Sequence, residues 1–453
     1  MKKIIVGALI ILFLILFYNS RNIYNLLPNS VKLPIKASLL KKYDNLGDKP
    51  KMLLRILNLD PFKGLQKRYG RSNPQINNLD NDYNVKFLPE TASSKFDLIK
   101  HKIDFKIQTS LNNDSGYGGA GFGFFKPFFL EIFEGKLLVI NNNAEILISN
   151  IDDKYLNKKN PIKFETLNND LELDGSKNFR VTGSLIDNNK LYLSHLTLEK
   201  DCQKFNISVA DLNFEKLMFE IFFKSDSCGI NLNAGRMASF ELDKKKGILF
   251  TVGGEKLNEA SLLPQNPNSD IGKIIFLDFE KQKKIIYSIG HRNPQGLFAE
   301  NNIVIATEHG PKGGDEINKI LLNKNYGWPI ASYGYAYTHR PINSDRKYLK
   351  SHRNNGFEEP IYSFVPSIGI SQIIKIDDDL SENWKGDFLL SSLNAGSLYR
   401  IKFSEDFNKV IFTEKIFINR RIRDLKYSKK LNAIILAMED WRELGILKEV
   451  SEN

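Results

Sequence analysis

Zinc and thiol chemistry find little material in this chain: of its 453 residues, two are cysteines and six are histidines. Neither Cys202 nor Cys228 lies near a histidine pair at metal-binding spacing, which argues against a zinc site. Two readings of the cysteines stay open. They either close a disulfide loop across QKFNISVADLNFEKLMFEIFFKSDS in an oxidising compartment, or remain two free buried thiols. No stretch beyond Asp97 keeps a helical period, so a parallel α/β sheet is not expected. The net charge is +11, yet no basic stripe interleaves with aromatics. The lysines scatter through turns such as KKKG, KQKK and LNKNYG, which speaks against a nucleic-acid partner. A solvated surface remains, with an excess of charge that suits an anionic ligand.

Long apolar runs are scarce as well, with one exception at the start. Lys2 and Lys3 precede IIVGALIILFLILFY, fifteen uncharged residues from Ile4 to Tyr18. That is short for a membrane span and at the top of the signal-peptide range. The residues that follow, NSRNIYNLLPNS, hold no small-x-small cleavage site. An uncleaved transmembrane anchor over residues 1–20 is therefore expected rather than a removed signal. Its lysines orient the remainder into the periplasm or outside the cell. Residues 21–95 read as a stalk and lead-in, with a short amphipathic helical stretch bounded by Pro50 and Pro61.

From residue 96 to 453 the texture is short strands and polar turns. A polar turn leads into a short apolar strand in EGKLLVI, DNNKLYLS, KKKGILFTV, ENNIVIAT, KGDFLLSS and KKLNAIILA. These strands start near residues 137, 191, 248, 303, 388 and 433, at intervals of about 54, 57, 55, 85 and 45. Units of that size with several strands apiece predict an all-β, six-bladed β-propeller. The long interval carries an insertion with YGYAYTHRPINSDRKY. A propeller gathers its functional loops at one mouth of the central channel.

The densest loops lie between residues 290 and 329, in GHRNPQGLFAENNIVIATEHGPKGGDEINKILLNKNYGWP. EHGPKGGDEIN offers carbonyls at Gly310 and Pro311, with Asp315 and Glu316 close behind. Hard cations such as Ca²⁺ favour that mixture, though the same run also reads as a plain turn. GHRNPQG sets Arg292 and Asn293 before Pro294, in an extended or turn geometry. RRIRDL puts Arg421 and Arg423 on alternate positions of a strand, hence on one face. Together with Arg292 they could clamp a planar polyanion through bidentate contacts. Taken singly, each arginine also reads as a surface or inter-blade ion pair.

GHRNPQGL, EHGPKGGDEIN, NYGWP and RRIRDL resemble, in order and spacing, the signature blocks of the quinoprotein glucose/sorbosone or aldose sugar dehydrogenases. The resemblance covers roughly residues 110–450. It implies a six-bladed propeller that binds pyrroloquinoline quinone (PQQ) with Ca²⁺ and oxidises an aldose or similar alcohol. It implies that Arg292, Asn293, Tyr337, Arg421 and Arg423 contact the quinone. Gly310 and Pro311 would hold the catalytic calcium through their carbonyls, and Glu316 and Tyr326 a further calcium.

The resemblance also exposes departures. The family's general-base histidine lies four residues before an arginine; here CGINLNAGRM puts Leu232 four before Arg236. The family's early glutamine is Tyr117 in SGYGGAG, and a lysine of some members is Asn394 in SSLNAGS. Losing a positioned base forfeits about 10²- to 10⁴-fold in rate. The chain could recruit His309 or His339, or bind quinone or sugar without turnover. A calcium-dependent lactonase-like hydrolysis is the third reading.

Overall fold

The computed structural model describes residues 96–105 and 127–449, except 158, 160, 176–177, 255–260, 281–282 and 337–346. The expected anchor and stalk, Tyr117, Tyr337 and His339 lie outside the described residues. Among the described residues no helix is long and apolar enough to cross a membrane.

Six sheets form the six blades of a propeller. The innermost strands, in chain order, are Phe128–Phe133, Arg180–Asp187, Ala234–Leu242, Pro294–Glu300, Ile370–Lys375 and Ile422–Ser428. Each inner strand contacts the next, and the last returns to the first, so the ring is closed. Blade 6 takes three strands from the C-terminal part of the chain and its outer strand, Phe96–Lys102, from the beginning. That strand pairs antiparallel with Glu443–Glu449, from Phe96 opposite Glu449 to Lys102 opposite Glu443. Closure through backbone hydrogen bonds leaves no blade at a loose end.

The apolar strands spaced along the sequence are the second strand of every blade: Lys136–Asn141, Lys190–Glu199, Lys245–Val252, Ile303–Glu308, Phe388–Ser392 and Ala433–Met438. Each is packed on both faces by neighbouring blades, so apolar residues run consecutively instead of alternating. The hydrophobic core accordingly forms six wedges, one at each blade–blade interface. Tight hairpins feed these strands. Asn188–Asn189 and Asn301–Asn302 both have positive φ at each residue (47° and 60°, 49° and 64°), as two-residue type I′ turns require. The 85-residue interval arises within blade 4, where the chain from residue 320 to 361 separates Asp315–Lys319 from Tyr362–Phe364. Cys202 and Cys228 are disulfide-bonded, with Cα atoms 5.5 Å apart, which settles the two readings of the thiols.

Candidate functional site

Antiparallel pairing decides which loops meet. Pro294 at the start of one inner strand lies opposite Glu308 at the end of the next strand, and Ile422 likewise lies opposite Met438. Residues just before an inner strand and just after a second strand therefore share one mouth. Arg292, Asn293 and Arg421 belong to the first group; His309, Gly310 and Glu439 belong to the second.

On blade 6, Arg421 and Arg423 point the same way, as their alternation predicts. Their Nε atoms donate to the two oxygens of one carboxylate, Glu439, at 2.9 and 2.8 Å. Burial alone would push the Glu439 carboxyl up, but Arg423 and Arg421 hold it below its ordinary value. Arg423 then reaches across the channel, its Nη1 donating to Gln295 Oε1 at 2.8 Å. Gln295 Nε2 donates in turn to Asn293 Oδ1 at 2.8 Å. One hydrogen-bonded chain thus ties the blade 6 arginines to the Arg-Asn turn of blade 4.

The Arg-Asn turn is pinned from below by the neighbouring motif. Glu308 accepts the backbone N–H of Arg292 and that of Asn293 through Oε1, the latter at 3.1 Å, while its Oε2 meets His291 Nδ1 at 3.1 Å. The Arg292 guanidinium lies 5.1 Å over the Trp328 ring and donates to the His309 carbonyl at 3.1 Å. His309 contacts the Ile370 carbonyl through Nε2, so that nitrogen carries the proton. Burial drives its pKa down to about 4; Asp315 opposes the shift, while Arg423 and Arg292 add to it. The imidazole is therefore neutral near pH 7, with cations from two blades beside it.

Gly310 is required where it stands, because a Cβ there would lie 2.1 Å from the Gly314 carbonyl oxygen. Asp315 is fully engaged by backbone. Its Oδ1 accepts from Gly310 N–H at 3.0 Å, and its Oδ2 accepts from Ile368, Gly369 and Ile370 at 3.0, 2.7 and 3.0 Å. The Gly310 and Pro311 carbonyls accept no hydrogen bond among the described residues. Free carbonyl oxygens in a glycine-rich turn are what a hard cation uses. On blade 5 at the same mouth, Asn394 Oδ1 is buried and also without a partner among the described residues.

Glu316 and Tyr326 share a cavity lining with Arg292, though not with Arg421 or Arg423. With Glu308, Ser332 and His352 they line a small cavity of about 10 Å³, room for about one water or ion. Burial, then the neighbouring Glu308 charge, raises the Glu316 carboxyl well above its ordinary value. The Tyr326 hydroxyl is engaged, donating to Lys319 O at 2.6 Å and accepting from Leu321 N–H at 2.9 Å. Tyr326 could thus serve a cation only through its carbonyl. Among the described residues no three His, Cys, Asp or Glu side chains cluster at metal-holding spacing. Any cation here would rest on backbone oxygens as much as on Glu316.

Sequence reasoning missed the floor of the site. Arg236, 4% exposed, crosses the channel from blade 3. Its Nη1 lies 3.3 Å from Asp424 Oδ1, its Nη2 donates to Arg423 O at 2.7 Å, and its Nε donates to Gln295 O at 2.8 Å. Below it, Glu131 accepts from Ser184 at 2.8 Å and from Lys426 at 2.9 Å, joining blades 1, 2 and 6. These two ionic layers tie together the inner strands of blades 1, 2, 3, 4 and 6. Leu232 is wholly buried in the apolar wedge between blades 2 and 3, with its N–H on Gln203 Oε1 at 2.8 Å. The position expected to hold a base is part of the core.

The family model for glucose / sorbosone dehydrogenase matches residues 125–447, nearly the whole ring of blades. The chain belongs to that family. Among curated members and relatives, the aldose sugar dehydrogenase YliI of Escherichia coli is 29% identical over 216 residues, 47% of this chain and 53% of that protein. Quinoprotein glucose dehydrogenase B of Acinetobacter calcoaceticus is 46% identical over 77 residues, 16% of each. The chain thus matches about half the length, or less, of these curated relatives. Among solved structures, apo soluble aldose sugar dehydrogenase from E. coli superposes with a TM-score of 0.58 at 18% identity, covering 73% of this chain and 97% of that one. The PQQ-bound aldose sugar dehydrogenase of Streptomyces coelicolor gives 0.52 at 20%, covering 72% and 94%. At such identities the two structures establish a shared fold for this glucose/sorbosone dehydrogenase family member.

Proposed function

We propose that this glucose/sorbosone dehydrogenase family propeller is an exported oxidoreductase that oxidises a hydroxyl of an aldose or similar alcohol with PQQ and Ca²⁺. The observation that carries this reading is the meeting of Arg292, Asn293 and Arg423 at one mouth, beside the free carbonyls of Gly310 and Pro311. The residues fit the groups. Arg292, Arg421 and Arg423 bring three guanidinium groups to one mouth, and planar guanidinium donors suit a flat polycarboxylate. Gly310 and Pro311 would face the cation, and Asn293 and Tyr337 would complete the quinone's contacts. Glu316 and the Tyr326 carbonyl would hold a further calcium. Bound there, the quinone supplies the electron acceptor and the cation polarises it. Residues 1–20 would anchor the chain, keeping the propeller in the periplasm or outside the cell. Calorimetric titration of the full chain with PQQ, with and without calcium, tests the reading. Tight calcium-dependent binding is expected; absence of binding in both conditions would remove it.

Leu232 favours a second reading, in which the propeller binds quinone or sugar without turnover. A side chain in an apolar wedge offers no proton acceptor. Reinstating histidine is not a simple repair: Leu232→His would bury an imidazole among apolar neighbours, at about 2–4 kcal/mol. The expected result is a lower urea midpoint and no gain in dye reduction with any aldose. Dye reduction by the unaltered chain would dispose of this second reading.

A further inference from the structure

One lysine of blade 3 lies inside the protein at the mouth end. Lys273 opens the third strand, Lys273–Asp278, opposite Val252 at the end of the second strand and Ile289 just before the Arg-Asn turn. It is wholly buried, which is rare for a lysine unless its charge is paired. Asp270, three residues before it, pairs with Lys284 at 2.8 Å. The Lys273 amine donates instead to three backbone carbonyls, those of Leu263 and Pro264 at 2.9 Å each and that of Ile271 at 2.7 Å. Burial pulls its pKa down to about 7, and the Asp270 charge opposes the shift. Below that pH it is an ammonium, with three donors and no acceptor, and each donor has a carbonyl.

Two of those carbonyls belong to the short turn Leu263–Gln265, which backs the Arg292 platform. The Pro264 carbonyl also accepts the Gly290 N–H at 3.0 Å. Gln265 Nε2 donates to the Trp328 carbonyl at 2.6 Å and to Asn325 Oδ1 at 3.1 Å, and Asn325 Nδ2 donates back to Gln265 Oε1 at 2.7 Å. A Cβ at Gly254 would meet the Trp328 indole at 3.3 Å and the Pro264 ring at 3.4 Å, so indole and proline close over that backbone. Gly254 N–H donates to the Arg292 carbonyl at 2.7 Å, and Trp328 N–H to the Gly290 carbonyl at 3.0 Å. The turn thus bears on Arg292 through Gly290, Gly254 and Trp328, over whose ring the guanidinium lies.

The other ties of this turn are neutral, whereas hydrogen bonds from an ionised donor are roughly twice as strong. An apolar side chain in place of Lys273 would leave the Ile271 carbonyl with no donor among the described residues. The turn would then have only Gly290 and the Gln265–Asn325 pair to keep it against Trp328. We propose that Lys273 is a positioning residue: it clamps the turn that backs Trp328 and so sets where Arg292 meets an anionic ligand. The ligand half of that claim rests on the dehydrogenase reading; the clamp does not.

Hydrogen exchange of the full chain at about pH 6, without quinone, tests the clamp. In Lys273→Met the amides of Gly254, Gly290 and Trp328 should exchange about tenfold faster than in the parent. The Glu439 amide, bonded to the Arg421 carbonyl on blade 6, should not change. Lys273→Gln keeps two of the three donors and should fall between the two, and it serves where the methionine variant does not fold. Lys426→Met, which strips Glu131 of its lysine on blade 6, controls for a general loss of stability and should leave the three amides as in the parent. Calorimetry with PQQ and calcium reads the ligand half. Affinity should drop about tenfold in Lys273→Met. The same change made in Arg292→Ala should cost about twofold or less, because the group it places is already gone. Parent-like exchange at the three amides, or an equal loss of affinity in both backgrounds, overturns the proposal. If the parent binds no PQQ, the dehydrogenase reading falls and exchange alone decides whether Lys273 holds Trp328.

Discussion

Glu439 and Glu316 are both buried at the same mouth, one on blade 6 and one on blade 4, and their carboxyls shift in opposite directions. Glu439 lies between Arg421 and Arg423, which hold it ionised. Among the described residues Glu316 forms no ion pair with a lysine or arginine and feels Glu308 instead; His352 Nε2 lies 3.6 Å from it. The lesson is that the chain supplies the counter-charge in one place and leaves it to be supplied from outside in the other. A carboxylate inside a protein must be paired, bound to a metal or protonated. Glu439 takes the first course, and Glu316 stands ready for either of the others.

The comparison breaks most visibly if the paired acid is removed. Glu439→Ala leaves two buried guanidinium groups without their shared anion, a loss of about 3–5 kcal/mol, read as a lower urea midpoint. The same pairing sets a pH dependence. A carboxyl held below its unfolded value adds stability that is present above that value and lost as pH falls through the folded one. The unaltered chain should therefore lose stability below about pH 4.5, and Glu439→Gln should flatten that limb. A midpoint in Glu439→Ala equal to the parent's would show that the arginines find other partners.

The unpaired acid should respond to calcium. An ion that binds only the folded state stabilises it by about 2.7 kcal/mol at a hundred times its Kd. Added calcium is expected to raise the Tm of the parent, and Glu316→Gln should lose the part of that rise due to the cavity. Without added cation the sign of its pH effect is opposite to that of Glu439. A carboxyl raised above its unfolded value costs stability as pH climbs past about 4.5, and Glu316→Gln should abolish that cost. A calcium-dependent Tm rise as large in Glu316→Gln as in the parent would take the ion out of the cavity.

How much of this was legible before the fold was known follows from where the partners lie. The second strands could be read because burial on both faces writes three to six apolar residues in a row. Arg421 and Arg423 could be read because a strand's period of two is local. Glu439 could not: in AMEDW it is one of two adjacent acids, and only the pairing of Ile422 with Met438 brings it under the arginines. Arg236 was visible as the landmark of its turn, but its role depends on Arg423, 187 residues away. Leu232 was read as a missing base, whereas the wedge that buries it belongs to two blades and has no local signature.

The subtlest test separates charge from geometry on blade 6. Arg423 places Nε on Glu439 and Nη1 on Gln295, two contacts in one plane at 2.8 Å each. A lysine keeps the positive charge but has a single ammonium on a flexible stem, so it cannot hold both oxygens in that arrangement. In Arg423→Lys the Glu439 carboxylate keeps a full partner in Arg421, and stability should fall by less than in Glu439→Ala. The bridge to Gln295 and Asn293 is what breaks. PQQ affinity is therefore expected to drop about tenfold, or about 1.4 kcal/mol, while the salt dependence of binding, which counts charges, stays as in the parent. If affinity and salt dependence both held, the guanidinium would matter only as a charge, and the linkage from blade 6 to the Arg-Asn turn would have no part in holding the ligand.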